Sequence, residues 1–167
     1  MRSNPDSYKL VRRRYGQGTA EALLCDLAGT RFRLLEEPAR AIVGCAALLG
    51  YRFDIDLLAK CAGVAIDYTA EVLRCAEHLD LVVSEPGFPP RYRFRHELTR
   101  AAVRQQLGLA CQSAFHGMIA SALEALQDGA TRTEELAHHW AAAGHSERAA
   151  PYFERAKQEA SHLGLGE

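Results

Sequence analysis

The chain has 167 residues, enough for one ordinary domain or a small domain with a helical extension, and too few for two full ones. Hydrophobic residues make up 48% and charged residues 25%, a composition that predicts a packed core and argues against a disordered tail. The net charge of −1 supplies no overall basic footprint for non-specific nucleic-acid binding, so any basic patch has to be local.

Cys25, Cys45, Cys61, Cys75 and Cys111 are odd in number and mostly embedded in apolar helical patterns, and no pair has metal-ligand or redox spacing. They read as small buried hydrophobes in a reducing compartment, against a disulfide framework or a zinc site. Met1 to Arg14 is basic with no apolar run behind it, unlike a signal peptide. The longest apolar stretch, Ala39 to Gly50, is too short to span a bilayer, so the expectation is a cytoplasmic protein with no membrane partner.

In chain order, Met1 to Gly18 sets Arg2, Lys9, Arg12, Arg13 and Arg14 against Asp6 alone and closes on Gly16 and Gly18, which reads as a helix remnant followed by a joint. From Thr19, Leu23, Leu24 and Leu27 mark a helix to about Leu35. Glu37-Pro38 interrupts it, and proline suits the first turn of the next helix. That helix carries Ala39, Ile42, Val43, Ala46 and Leu49 at helical spacing and stops at Gly50. Ile55, Leu58, Ala59 and Ala62 predict a short helix closed by Gly63. Asp67 is placed to cap a third, with Tyr68, Val72, Cys75, Ala76 and Leu79 as its expected buried face. The period then changes. Leu81-Val82-Val83 is extended, Pro86-Gly87-Phe88-Pro89-Pro90 turns, and Tyr92 and Phe94 alternate with Arg91, Arg93 and Arg95, which predicts a β-hairpin. Three helices followed by a hairpin is the winged-helix arrangement.

Past His96 the pattern is helical. A helix from Leu98 to about Leu107 precedes one with Phe115, Ile119, Ala122, Leu123 and Leu126 on one face, broken at Asp128-Gly129. Two further helices, about Arg132 to Ala143 and Glu147 to Leu163, flank Gly144-His145-Ser146. Their expected contacts are Leu136, Ala137 and Trp140 on the first, and Ala149, Phe153 and Ala156 on the second. That spacing fits one tetratricopeptide repeat, which cannot bury its faces alone and has to pack on the preceding helix or on neighbouring repeats. The fold expected is mainly α: a winged-helix domain over residues 19–107, then a helical extension over residues 108–167 with one tetratricopeptide-like pair.

The run Tyr92-Arg93-Phe94-Arg95-His96-Glu97-Leu98-Thr99-Arg100 places a histidine where a strand passes into a helix. A helix N-terminus carries partial positive charge and unpaired N–H groups, so His96 is well placed to meet a phosphate or a carboxylate. The structural alternative is a strand-end histidine bonded to a neighbouring carbonyl.

Taken together, the sequence resembles the arm region of the signal-transduction ATPases with numerous domains (STAND ATPases), particularly LuxR-type regulators of the maltose-activator kind and ATPase modules fused to nucleotide cyclases. Ser3-Asn4-Pro5 with Tyr8, Leu10 and Val11 looks like the end of that family's nucleotide-binding module, which makes residues 1–18 its remnant. Arg33-Leu34-Leu35-Glu36-Glu37-Pro38-Ala39-Arg40 and Ala46-Ala47-Leu48-Leu49-Gly50 look like the lead into its winged helix. Tyr92 to Arg100 looks like the way out, and Glu135-Leu136-Ala137-His138-His139-Trp140 like its first helical repeat. The resemblance implies that His96 senses the β-phosphate of bound ADP, supported by Arg95 and Glu97, where the family signature has methionine and aspartate. It also implies an ATP-binding module as partner, in cis or in trans, and a protein or peptide partner on Leu136, Trp140 and Phe153.

Several functions are argued against by what is missing. There is no G-x-x-x-x-G-K-[ST] loop and no carboxylate at the end of a parallel strand to hold magnesium, so ATP or ADP belongs to the presumed parent protein. No cofactor and no ATP hydrolysis are expected of this chain. No nucleophile elbow or paired-carboxylate cleft can be placed, which argues against an enzyme and leaves no catalytic residue to name. The helix that would enter a major groove carries Asp67, Glu71, Glu77 and Asp80 against Arg74, which phosphates would repel. Arg91, Arg93 and Arg95 on the hairpin, and Arg12, Arg13 and Arg14, leave room only for a weak backbone contact with nucleic acid. His138, His139 and His145 lack the i, i+4 spacing of a helical zinc site, so no metal is expected. A free-standing protein-protein adaptor is the other class that stays open, and a DNA-binding regulator the third.

Overall fold

A computed structural model describes residues 17–126 and 132–162. The basic segment with Arg12, Arg13 and Arg14, nearly all of the 1–18 remnant, and the expected break at Asp128-Gly129 lie outside the described residues. Among those residues the chain forms eight helices and a small three-stranded antiparallel sheet. The order is α1 (Gln17–Arg33), α2 (Glu37–Leu49), β1 (Arg52–Asp54), α3 (Ile55–Ala62), α4 (Ile66–His78), β2 (Val82–Glu85), β3 (Arg91–Phe94), α5 (Glu97–Gln106), α6 (Leu109–Glu124), α7 (Thr133–Ala142) and α8 (Ser146–His162).

The core is built around α2. Every residue from Ile42 to Leu48 is buried, so this helix is enclosed on all sides, as its nearly unbroken apolar run requires. Pro38 sits in its first turn, and the Gly50 N–H donates to the Ala46 carbonyl where it ends. The sharp turn from α1 into α2 is held by Arg40, whose guanidinium donates to the carbonyls of Arg33 and Leu35 and to Glu37. Helix C-termini leave carbonyls unpaired, and an arginine supplies the donors they need. Arg100 does the same for α2, donating from Nε to the Ala47 carbonyl at 2.8 Å. Helix α3 ends as its sequence predicts, with Gly63 in the left-handed region at φ +67° and its N–H bonded back to Lys60 and Ala59.

Helix α4 differs from expectation in its start and in its face. Ala65, not Asp67, is its N-cap residue, and the Thr69 hydroxyl donates to the Ala65 carbonyl. The buried stripe is Thr69, Val72, Leu73 and Ala76, while Tyr68 and Cys75 are exposed and Leu79 is half-buried. Val72 and Ala76 belong to both the expected and the observed stripe, so periodicity left two faces open. Packing chose the one that buries Leu73 and leaves the tyrosine hydroxyl in water.

The hairpin of β2 and β3 forms where the alternation of Tyr92 and Phe94 predicts it, and Arg91 to Phe94 is extended. A third strand, β1, pairs with the other edge of β3, giving the order β1-β3-β2 with Phe53 opposite Tyr92. Phe53 stacks on Tyr92 at a ring-centroid distance of 6.2 Å and tilts against Phe94 at 5.8 Å. Three residues carry no alternation to detect, and β1 passes straight into α3, which is why the sequence hides it.

Helix α6 lays Ile119 and Leu123 on the core, and α7 adds Leu136. Trp140, Ala120 and Ala149 form a smaller apolar cluster between α6, α7 and α8. No helix among the described residues is long and apolar enough to cross a membrane.

Candidate functional site

His96 is the N-cap residue of α5, immediately after β3, and its carbonyl accepts from the N–H groups of Thr99 and Arg100. The strand end is fixed by the Arg95 N–H donating to Leu81 and the Phe94 N–H donating to Tyr51. The imidazole sits on the exposed side of this junction. Desolvation of the ring, then the charges of Arg95 and Arg93, hold it below the ordinary histidine range, with Asp80 opposing them. The neutral form is therefore favoured at pH 7, beside two guanidinium groups. Asp80, in the left-handed region at φ +56°, pairs with Arg31 at 3.6 Å and is the acid whose charge opposes the two arginines at His96.

Glu97 pairs within its own helix. Its carboxylate accepts from Arg100 at 2.7 Å, and Arg100 reaches on to α2, so the expected acidic supporter of His96 serves as a link between helices. Arg95, the residue before His96, acts on the imidazole through its charge.

The basic edge expected on the hairpin is answered within the sheet. Arg91 pairs with Asp54 at 2.9 Å, and Arg52 and Arg93 share Glu85 at 3.0 and 3.3 Å. Arg93 also donates to the Tyr51 hydroxyl and to the carbonyls of Phe94 and Arg95. These pairs set carboxylates among the arginines of the sheet, so the edge offers a phosphate backbone less net positive charge than a run of like charge would.

The residues of the expected partner surface, Leu136, Trp140 and Phe153, divide by burial. Leu136 lies in the core and Trp140 is 2% exposed, its indole N–H donating to Glu124 at 2.8 Å and its ring covered by Arg148 at 3.5 Å. Phe153, expected to pack, is 46% exposed, and its neighbour Tyr152 turns inward instead. A one-residue rotation of α8 separates the two, and Tyr152 wins because its hydroxyl reaches Glu124.

An open cleft of about 590 Å³ lies between α3, α6 and the start of α8, lined by Lys60, Gly63, Ala114, Gly117, Met118 and His145 among others. The solvent side of α6, from Leu109 through Ala110, Ala114 and Met118 to Ser121, carries no charged residue. A surface helix ordinarily shows a charged face to water.

The structure joins two histidines that the sequence leaves apart. His116 on α6 and His139 on α7 meet with their Nδ1 atoms 2.8 Å apart, both buried, and His138 stands edge-on to each ring. The signal was present, since His116 lies three and seven residues before Ile119 and Leu123 on the same apolar face. Among the described residues, no group of three or more His, Cys, Asp or Glu is placed to hold a metal ion. Burial pushes the Cys45 thiol up, and pushes Cys61 up to about 12, so both are unreactive.

Comparison with known proteins finds no matching family model, no matching curated protein and no matching solved structure.

Proposed function

We propose that the chain is a non-catalytic regulatory segment, a winged-helix unit followed by a tetratricopeptide-like helical pair, that couples the nucleotide state of a separate ATP-binding module to a helical interaction surface. The observation that carries this reading is His96: a neutral imidazole at a strand-to-helix junction, on the N-terminus of α5, beside Arg93 and Arg95. A phosphate bound by the partner module would meet the positive end of α5 and the nearby charge of Arg95 there. The resemblance of residues 92–100 to the way out of the winged helix in STAND ATPases supports the same role, and Arg100 carries the position of α5 directly to α2.

The test supplies the nucleotide-binding module of a STAND ATPase in trans, loaded with ADP or with a non-hydrolysable ATP analogue. The chain is expected to bind the ADP-loaded module more tightly, and His96→Ala to remove that preference while leaving the fold intact. Equal binding in both nucleotide states by the unaltered chain would overturn the reading.

A second reading, a free-standing protein-protein adaptor, is favoured by the uncharged outer face of α6 and the cleft beside it. There the substitution Met118→Glu would abolish partner binding and His96→Ala would leave it unchanged.

A further inference from the structure

We infer that the buried pair of His116 and His139 is an acid-sensitive latch that holds the α7–α8 hairpin onto α6 and releases it on mild acidification. This goes beyond the proposed regulatory role and does not depend on it. The two side chains are 6% and 5% exposed, and their Nδ1 atoms lie 2.8 Å apart. At that distance one Nδ1–H donates to the other ring's bare Nδ1, so the contact requires at least one neutral imidazole. A first proton, on the far nitrogen of the donor ring, leaves the bond in place but buries a positive charge. A second proton puts two N–H groups face to face and breaks it.

The surroundings offer little to compensate either charge. Facing His116 are Arg104 from α5 and His138 from α7. Around His139 a cavity of about 110 Å³ is lined by Arg52 and Asp54 from β1 and by Arg132 and Glu135 at the start of α7. Its acids are already engaged: Asp54 with Arg91, and Glu135 with Arg132. Burial first, then the neighbouring imidazoles and, for His116, Arg104, push both rings down to about 4 from an ordinary value of 6.5.

The direction of the pH effect follows. Both rings are neutral when the hairpin is docked and free to charge when it is open, so the open form binds more protons below pH 6.5. Docking is at full strength above that value, weakens as pH falls from 6.5, and stops weakening near 4, where the docked rings also take protons. With two protons taken up, the docking equilibrium falls by up to about 100-fold per pH unit within that window. Most of it lies above the range in which carboxylates ordinarily titrate.

Trp140 lies on α7, is the chain's one tryptophan, and is bonded to α6 through Glu124, so its emission reports the docked state. The full chain is titrated with urea at pH 7.5, 6.5 and 5.5, with Trp140 emission and far-ultraviolet circular dichroism recorded together. The expected result is that Trp140 becomes exposed at lower urea as pH falls to 5.5, before the bulk of the helix signal is lost. The double substitution His116→Asn with His139→Asn is expected to remove this pH dependence, and His78→Ala, an exposed histidine at the end of α4, to leave it unchanged. If the double variant does not fold at pH 7.5, His139→Gln alone is expected to halve the slope. A pH course unchanged in the variants, or Trp140 exposure that always coincides with loss of the whole helix signal, overturns the latch.

Discussion

Glu124, on α6, gathers donors that the sequence scatters over two other helices. Its Oε1 accepts from the Trp140 indole and the Tyr152 hydroxyl, each at 2.8 Å, and its Oε2 accepts from Arg148 at 2.8 Å. Replacing it by alanine leaves the indole N–H and the phenol without their acceptor, and each stranded buried donor costs about 1–3 kcal/mol. Glu124→Ala is therefore expected to lower stability by about 3 kcal/mol in urea unfolding, with a red shift of the tryptophan emission. A variant within 0.5 kcal/mol of the parent would show that the net does not hold the hairpin. Tyr152→Phe removes one bond and is expected to cost about 1 kcal/mol. Phe153→Ala, one residue along but turned to solvent, is expected to change stability by less than about 0.5 kcal/mol. The contrast between these two neighbours checks the rotation of α8 directly.

At the scale of elements, the sheet is small, and its stability rests on aromatic contacts across it. Phe53 on β1 touches both Tyr92 and Phe94 on β3, so truncating it opens a void in the layer that joins the sheet to α2 and α3. Phe53→Ala is expected to cost about 3 kcal/mol and to lower the thermal midpoint accordingly; a loss below about 1 kcal/mol would mean that β1 contributes little beyond its hydrogen bonds. The ion pairs that decorate the sheet, Arg91 with Asp54 and Arg52 with Glu85, are exposed on the arginine side and contribute far less. The latch between α6 and α7 belongs to this scale as well, because the two histidines act only when the two helices are apposed.

For the molecule as a whole, α6 is the hinge of the design. Its inner face gives Ile119 and Leu123 to the core, its flank gives Ala120 to the Trp140 cluster, and its outer face is uncharged. A chain cut after residue 126 loses α7 and α8 and uncovers the flank that they protect. It is expected to self-associate at concentrations where the full chain does not, measured by sedimentation velocity. A truncated chain that stays monomeric with an unchanged thermal midpoint would show that the hairpin is an appendage and not a part of the fold.

The periodicity of residues 39–49 and 55–62, the glycines that stop them, and the alternation of Tyr92 and Phe94 determined the helices and the hairpin by local rules. A helix stripe, a left-handed glycine and a strand face are properties of adjacent residues. The junction that holds His96 was legible for the same reason, being a change of period within nine residues. The third strand, the face of α4, the exposure of Phe153 and the meeting of His116 with His139 were decided only by tertiary structure. Each depends on what lies opposite: β1 needs β3 as its template, Thr69 and Leu73 need the core they face, and an imidazole on α6 acquires a partner only when α7 docks. Local pattern says which residues want to be inside; the arrangement of helices says which of them meet.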